Sequence, residues 1–495
     1  MTSTLALGAI LCGICFVLAF LWQGIYNLFF SPLRSVPGPL LARLSTKWLT
    51  IVDLGGYRTL TIHELHRKYG PTVRVAPNEL SFSNSECVRE IYGQQTNFLK
   101  AKIYETMSLP PLGIFSMRGK EEHSQRRRLL SHAFAQSSLM DSEPLIRVHV
   151  EKVLREVRSG AHAPLDVMQL FRRAAFDIVG DLFLGQSFAA LDSKEPHQFM
   201  EDMDKAFLLA GLQWTFPLLY PIFTQLPVRS LQHFLQARER LIGFGHDAFK
   251  RYLSTYGRQS GRKDLISKVV SLKSDTGTPP LTDRETFTEI GNLVFAGSDT
   301  TSMTLTYMFW ELAQTSDWQE KLRRELSTLP AGSGGVVPAF TDLVNLPILD
   351  AVVQEALRLH PAAPASLPRE TPRGGRLLNG VHVPEGTVVS MQCYTTQRDP
   401  KVFRNPDVFD PSRWFEPQSD LMKELFMPFS KGTRACLGKS LALMELKLIT
   451  ATLLKDFTVS LAPSCTKESM VMTDHFLVIP KGGRCELIFS PIKSG

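Results

Sequence analysis

From Arg284 to Thr315 the chain keeps helical spacing without a proline, and this run constrains the fold more than any other segment. About 32 residues at 1.5 Å each make a helix on the order of 48 Å long, which must cross an entire globular body. Thr282, with Glu285 three residues on, predicts a capping box at its start. The middle reads Leu293-Val-Phe-Ala-Gly-Ser-Asp-Thr-Thr-Ser302, so Asp299, Thr300 and Thr301 interrupt an apolar face. Buried polar groups cost free energy unless they are satisfied. Gly297 lowers helix propensity by about 1 kcal/mol relative to Ala. Such departures mark either a functional site or a back-bonded Ser/Thr kink, and the segment alone leaves both open.

Helical spacing recurs at 165–184, 230–256, 318–329, 349–359 and 441–454. Alternation at 72–76 before Pro77-Asn78, and at 381–389 around Pro384-Glu-Gly386, predicts short strands and turns. The fold class is therefore mainly α with a minor β part. Ala331-Gly-Ser-Gly-Gly335 is the loosest stretch, a surface loop, and no linker divides 46–495. With 44% hydrophobic and 21% charged residues the chain forms a core. Its net charge of +7 over 495 residues gives no argument for nucleic acid and suits an anionic membrane surface or an acidic partner.

Residues 5–30 contain no charge, enough for a bilayer-spanning helix with Trp22 and Tyr26 near its end. Arg34, Arg43 and Lys47 follow, with no acid before Asp53, which favours a cytosolic body. No basic segment precedes the run, which argues against a cleaved signal. Residues 1–30 are expected to be the anchor. The proline-rich stretch 31–45, with Pro32 and Val36-Pro-Gly-Pro39, is expected to be a stiff hinge, and 46–495 the catalytic body.

The seven cysteines, at 12, 15, 87, 393, 436, 465 and 485, form neither a disulfide framework nor a zinc pattern. Six read as small buried hydrophobes. Cys436 stands apart, in Phe429-Ser-Lys-Gly432-Thr-Arg434-Ala-Cys436-Leu-Gly438, directly before a helical run. Amides and the positive dipole end there favour thiolate, and Arg434 adds positive charge. Gly432 and Gly438 allow backbone close to a flat ligand. With no second Cys or His at ligand spacing, a metal must bring its other ligands with it, as haem iron does.

This complete FxxGxRxCxG pattern resembles the cysteine loop of the cytochrome P-450 family. Ala296-Gly297-Ser-Asp299-Thr300-Thr resembles that family's oxygen-activation motif, and Glu355-Ala-Leu-Arg358 its ExxR pair. Phe409-Asp-Pro-Ser-Arg413-Trp resembles the segment whose Arg joins that pair. ExxR also occurs at Glu64/Arg67, Glu86/Arg89, Glu320/Arg323 and Glu370/Arg373, and most of these read as surface ion pairs. The resemblance implies a haem-thiolate fold with Cys436 as iron ligand and Phe429, Gly432 and Gly297 beside the haem. It further implies a structural network of Glu355, Arg358 and Arg413, and proton delivery by Asp299 and Thr300. His123-Ser-Gln-Arg-Arg127 stands where the family has WxxxR. Arg127 is implied to bind a propionate, with His123 in place of Trp; Arg369 and Arg434 are further propionate candidates.

Too little chain lies on either side of the motifs for a flavin domain, so the resemblance implies NADPH-derived electrons from a separate membrane-bound flavoprotein reductase. Lys431, Arg434, Lys439 and Arg126-Arg-Arg128 are the candidate basic docking face. The implied pocket segments are 103–117, 207–223, 293–296 and 363–367. They carry Phe115, Phe207, Trp214, Phe216 and Phe295, and so suit a lipophilic small molecule. The 207–226 stretch, with Pro217 and Pro221, reads either as a lipid-dipping entrance or as ordinary core. Val36-Pro-Gly-Pro-Leu-Leu-Ala-Arg43 and Met422-Lys-Glu-Leu-Phe-Met-Pro-Phe429 resemble filamentous-fungal microsomal members that tailor polyketides, terpenoids or alkaloids. The expected activity is insertion of one oxygen atom of O2 at the endoplasmic reticulum membrane. The rivals are a haem isomerase or dehydratase, and a haem sensor or electron carrier.

Overall fold

The computed structural model describes residues 2–106, 111–193, 197–216, 220–271, 280–329 and 336–492. The 331–335 loop and Pro217 lie outside them, as do the side chains of Cys12, Phe207 and Trp214.

The central helix runs Asp283–Gln314, with Thr282 accepting from the Glu285 amide and the Glu285 carboxylate closing the capping box. It packs along the helix Val167–Leu184. Gly297 permits that closeness, because a Cβ there would lie 2.6 Å from Val179 Cγ1. The helices Gln136–Ser159 and Lys439–Asp456 complete the large apolar core. The helical pattern at 230–256 divides at Gln236 into Arg229–Leu235 and Ala237–Tyr256.

The β part is small. Strands β1 (Thr72–Ala76) and β2 (Glu79–Phe82) pair antiparallel. They join β3 (Leu99–Lys100), β5 (Arg369–Glu370) and β8 (Val388–Ser390) in the order β1-β2-β8-β5-β3. Strands β4 (Pro164–Asp166), β9 (Phe457–Leu461) and β12 (Glu486–Pro491) form a second sheet in the order β4-β12-β9. Two hairpins remain: β6 (Arg376–Leu378) with β7 (Val381–Val383), and β10 (Met472–His475) with β11 (Leu477–Pro480).

The apolar leader forms the helix Thr2–Ile25 and a π turn at Tyr26–Phe30. Among the described residues, one stretch, Gly13–Phe30, is long and apolar enough to cross a membrane by length and composition. The segment after it is packed onto the body: Ser31, Leu33 and Val36 are buried. The fully buried Arg74 guanidinium on β1 donates to the Asn27 carbonyl at 2.9 Å, the Leu33 carbonyl at 3.4 Å, the Ser31 hydroxyl at 3.2 Å and the Pro77 carbonyl at 2.7 Å. Burial, with Arg43 nearby, lowers its pKa to about 10. Cys87, Cys393, Cys465 and Cys485 are buried as expected, whereas Cys15 is exposed on the leader helix.

Candidate active site

The cysteine loop is shaped by two local requirements. The Cys436 amide donates to the Phe429 carbonyl at 2.8 Å, closing the loop on itself. Gly432 sits at φ +64°, and a side chain there would collide with the Tyr92 carbonyl. Glycine at 432 and at 297 therefore answers to backbone and helix packing. Cys436 is exposed by surface area yet lies deep among protein atoms. That burial pushes its thiol up. The Gly438 and Lys439 amides and the charges of Arg127 and Lys439 pull it back. The cations acting on the sulfur are thus Arg127, whose Nη1 donates to the Ala435 carbonyl at 2.7 Å, and Lys439, rather than Arg434.

Arg434 turns away to the Met117, Arg118 and Gly119 carbonyls at 2.7, 2.8 and 3.1 Å. There it meets buried Arg369, whose Nη1 donates to the Pro368 carbonyl at 3.0 Å and whose guanidinium lies 5.0 Å from the Tyr92 ring centroid. Burial, then Arg369 and Arg127, lowers Arg434 to about 10. Buried His123 is depressed to about 3 by desolvation and by Arg434, Lys100, Arg127 and Arg369, so its imidazole is neutral at physiological pH. Lys100, absent from the sequence expectations, belongs to the same cluster. It is buried, donates to the Phe115 carbonyl at 2.5 Å and is lowered by desolvation and by Arg369 and Arg434. Its position on a two-residue strand carries no motif that would have revealed it.

Among the described residues, no carboxylate pairs with Lys100, His123, Arg127, Arg369 or Arg434. Buried cations of one sign repel unless an anion sits among them. A dianionic group whose metal accepts a thiolate fits this donor set, and haem, with two propionates and an iron for Cys436, is such a group.

The motif on the central helix is tied down. Asp299 is buried and accepts from Arg172 Nε at 2.7 Å; the same guanidinium also holds Asp204. Burial works against the Arg172 charge, but the two aspartates outweigh it and raise its pKa. Thr300 Oγ1 donates back to the Ala296 carbonyl at 2.8 Å, so the back-bonded geometry and the acid–alcohol pair coexist.

Glu355 and Arg358 are fully buried and joined by two bonds of 2.8 and 2.9 Å. The Glu355 carboxylate also accepts from Arg413 Nε at 3.0 Å, from the Trp414 indole N–H at 3.0 Å and from the Asp410 amide at 2.9 Å. Of the other ExxR pairs, Glu64/Arg67 and Glu320/Arg323 are ion pairs, whereas Arg89 meets Glu424 and Glu370 meets Arg118.

The expected docking face shrinks. Arg126 is buried between Glu285 and Glu289, at 2.5 and 2.6 Å, and Arg434 lies inside, leaving Arg128 and Lys439 exposed and Lys431 half-buried. Within 103–117, Phe115 packs edge-on against Tyr104 at 5.5 Å and against Phe476 at 5.8 Å. Phe476, at the β10–β11 tip, was not anticipated; a lone φ of +81° on an aromatic residue has no sequence signature.

The chain matches the family model described as Cytochrome P-450 over residues 37–487. It is 33% identical to the cytochrome P-450 monooxygenase tazI of Aspergillus terreus, over 93% of this chain and 94% of that one. It is 32% identical to tryprostatin B 6-hydroxylase of Aspergillus fumigatus, over 88% and 76%. To the monooxygenase stcB of Emericella nidulans it is 31% identical, over 94% and 90%. The match over nearly the whole length, with a set of basic side chains beside one loop cysteine, makes this chain a member of the cytochrome P-450 family of haem-thiolate monooxygenases.

Proposed function

We propose that this enzyme is anchored by its N-terminal helix in the endoplasmic reticulum membrane, with its body in the cytosol. There it inserts one oxygen atom of O2 into a lipophilic intermediate of fungal secondary metabolism. When bound, haem supplies the oxidising chemistry, drawing on a thiolate ligand that favours O–O cleavage.

Cys436 is the ligand that this chain offers the iron. Arg127, Arg369, Arg434 and Lys100 would hold the propionates, and neutral His123 would donate a hydrogen bond. Asp299 carries protons inward from solvent when Arg172 releases it, and Thr300 passes them on through its hydroxyl. Glu355, Arg358 and Arg413 fix the segment leading to the cysteine loop. Electrons come from NADPH through a separate flavoprotein reductase, docking near Lys439, Arg128 and Lys431.

Support for the membrane position comes from exposed Leu40, Leu41, Ile51 and Leu54 just after the leader, and from Phe216, Ile222, Phe223 and Leu226. The aromatic contact of Phe115, Tyr104 and Phe476 favours an apolar substrate. The observation that carries the proposal is the cluster of basic side chains beside the Cys436 loop that, among the described residues, has no carboxylate partner.

The test is co-expression with an NADPH-dependent flavoprotein reductase and comparison of extracts by mass. A product one oxygen atom heavier than its precursor, absent for Cys436→Ser, is expected. Turnover without NADPH consumption would replace this proposal with an isomerase.

A further inference from the structure

Cys465 and Cys485 are 20 residues apart in sequence, and their Sγ atoms lie 3.9 Å apart. Both are buried, at 6% and 1% exposure. Sheet register sets this distance. Strands β9 and β12 pair Leu461 with Leu487, and the Ala462 amide donates to the Glu486 carbonyl at 3.2 Å. Cys465 leaves that pair as the chain departs, and Cys485 enters it as the chain returns. Everything between them is the excursion that carries the β10–β11 hairpin and its tip, Phe476, to Phe115.

We propose that Cys465 and Cys485 are a reversible dithiol–disulfide pair that fastens the base of the β10–β11 hairpin when the enzyme meets hydrogen peroxide. In the first step Cys465 Sγ attacks one peroxide oxygen, the O–O bond breaks, and a sulfenic acid and one water form. Cys485 Sγ then attacks the Cys465 sulfur, forming the S–S bond and releasing the sulfenic oxygen as a second water. Two thiols and one peroxide give one disulfide and two waters: sulfur is oxidised, peroxide is reduced, and the thiol protons leave in the water.

Cys465 is the attacking sulfur because it is the more exposed. Reaching a bond length of about 2.05 Å requires the sulfurs to close by roughly 2 Å, within reach of side-chain rotation. A closed loop around the hairpin restricts the excursions of its tip. The bond stands apart from the proposed activity; only its effect on the pocket rests on that reading.

The experiment treats full-length, haem-loaded protein with a few equivalents of hydrogen peroxide, alkylates it under denaturing conditions and maps the peptides by mass. A Cys465–Cys485 cross-linked pair lighter by two hydrogens is expected, reversed by dithiothreitol and absent in Cys465→Ser and in Cys485→Ser. Amide exchange across residues 471–481 should slow several-fold on oxidation. The wild-type peptide map stands even if a variant fails to fold, and none of these measurements needs turnover. Sulfinic or sulfonic acid at Cys465 with Cys485 still alkylatable would overturn the proposal. So would two intact thiols where Cys15 is oxidised.

Discussion

Arg172 Nε donates to Asp299 Oδ1 over 2.7 Å, while the same guanidinium holds Asp204 on the helix Gln198–Thr215. The acid in the middle of the central helix is thus tethered, and the proton relay proposed for it requires its release. Asp299→Asn should lower product formation by about 100-fold, the scale of a lost proton relay. NADPH consumption should fall less, the difference appearing as free peroxide. Product and peroxide measured per NADPH decide it; coupling unchanged from the wild type refutes the role.

Removing charge from Glu355 should be severe. Its carboxylate accepts from Arg358, Arg413, the Trp414 indole and the Asp410 amide in a fully buried setting. Glu355→Gln strands two guanidinium groups and should cost about 3–5 kcal/mol. Thermal unfolding and haem content per chain are the readouts. A loss below about 1 kcal/mol would mean that the network is weaker than its geometry.

Lys100→Met makes a prediction with opposite signs for two states. Desolvation first, and then repulsion from Arg369 and Arg434, disfavours a charge at Lys100 in the apoprotein, so removing it should raise the unfolding temperature by about a few degrees. The same change removes a partner for the anion, so haem should transfer to apomyoglobin about 10-fold faster. A change in the same direction for both would discard the assignment of this cluster.

His66 predicts acid sensitivity remote from the site. Its Nδ1 lies 2.9 Å from the Gly70 carbonyl and its Nε2 2.8 Å from the Ser81 hydroxyl. Burial, only partly offset by the Gly70 bond, holds its pKa near 4, against an ordinary 6.5. The fold therefore prefers the neutral ring. Its contribution is complete above pH 6.5 and is lost as pH falls toward 4, by up to about 1.4 kcal/mol per pH unit. His66→Asn should be less stable at pH 7.5 yet lose stability less steeply between pH 6.5 and 4.5. Urea unfolding across that range is the measurement, and parallel curves would count against His66.

What the sequence revealed were features written locally: the capping box at Thr282, the cysteine loop, and an ExxR pair ordered before Arg413 and Cys436. What it hid depends on charges distant in the chain. Arg126 reads as one of three surface arginines until the fold brings Glu285 and Glu289 to it. Arg172 lies 127 residues from the aspartate it holds. Lys100 joins the cations only because β3 pairs with β5 and so sets it opposite Arg369. The thiols of Cys465 and Cys485 meet through strand register, which spacing alone does not encode.

The Arg74 guanidinium bears on how the leader can be removed. A soluble version cut at the proline elbow, starting at Val36, would discard the Asn27 and Leu33 carbonyls and the Ser31 hydroxyl, leaving Pro77 as the one remaining acceptor of these four and uncovering a guanidinium that the intact chain buries. Shortened proteins that begin at or before Tyr26 keep all four acceptors and should be the ones that purify intact.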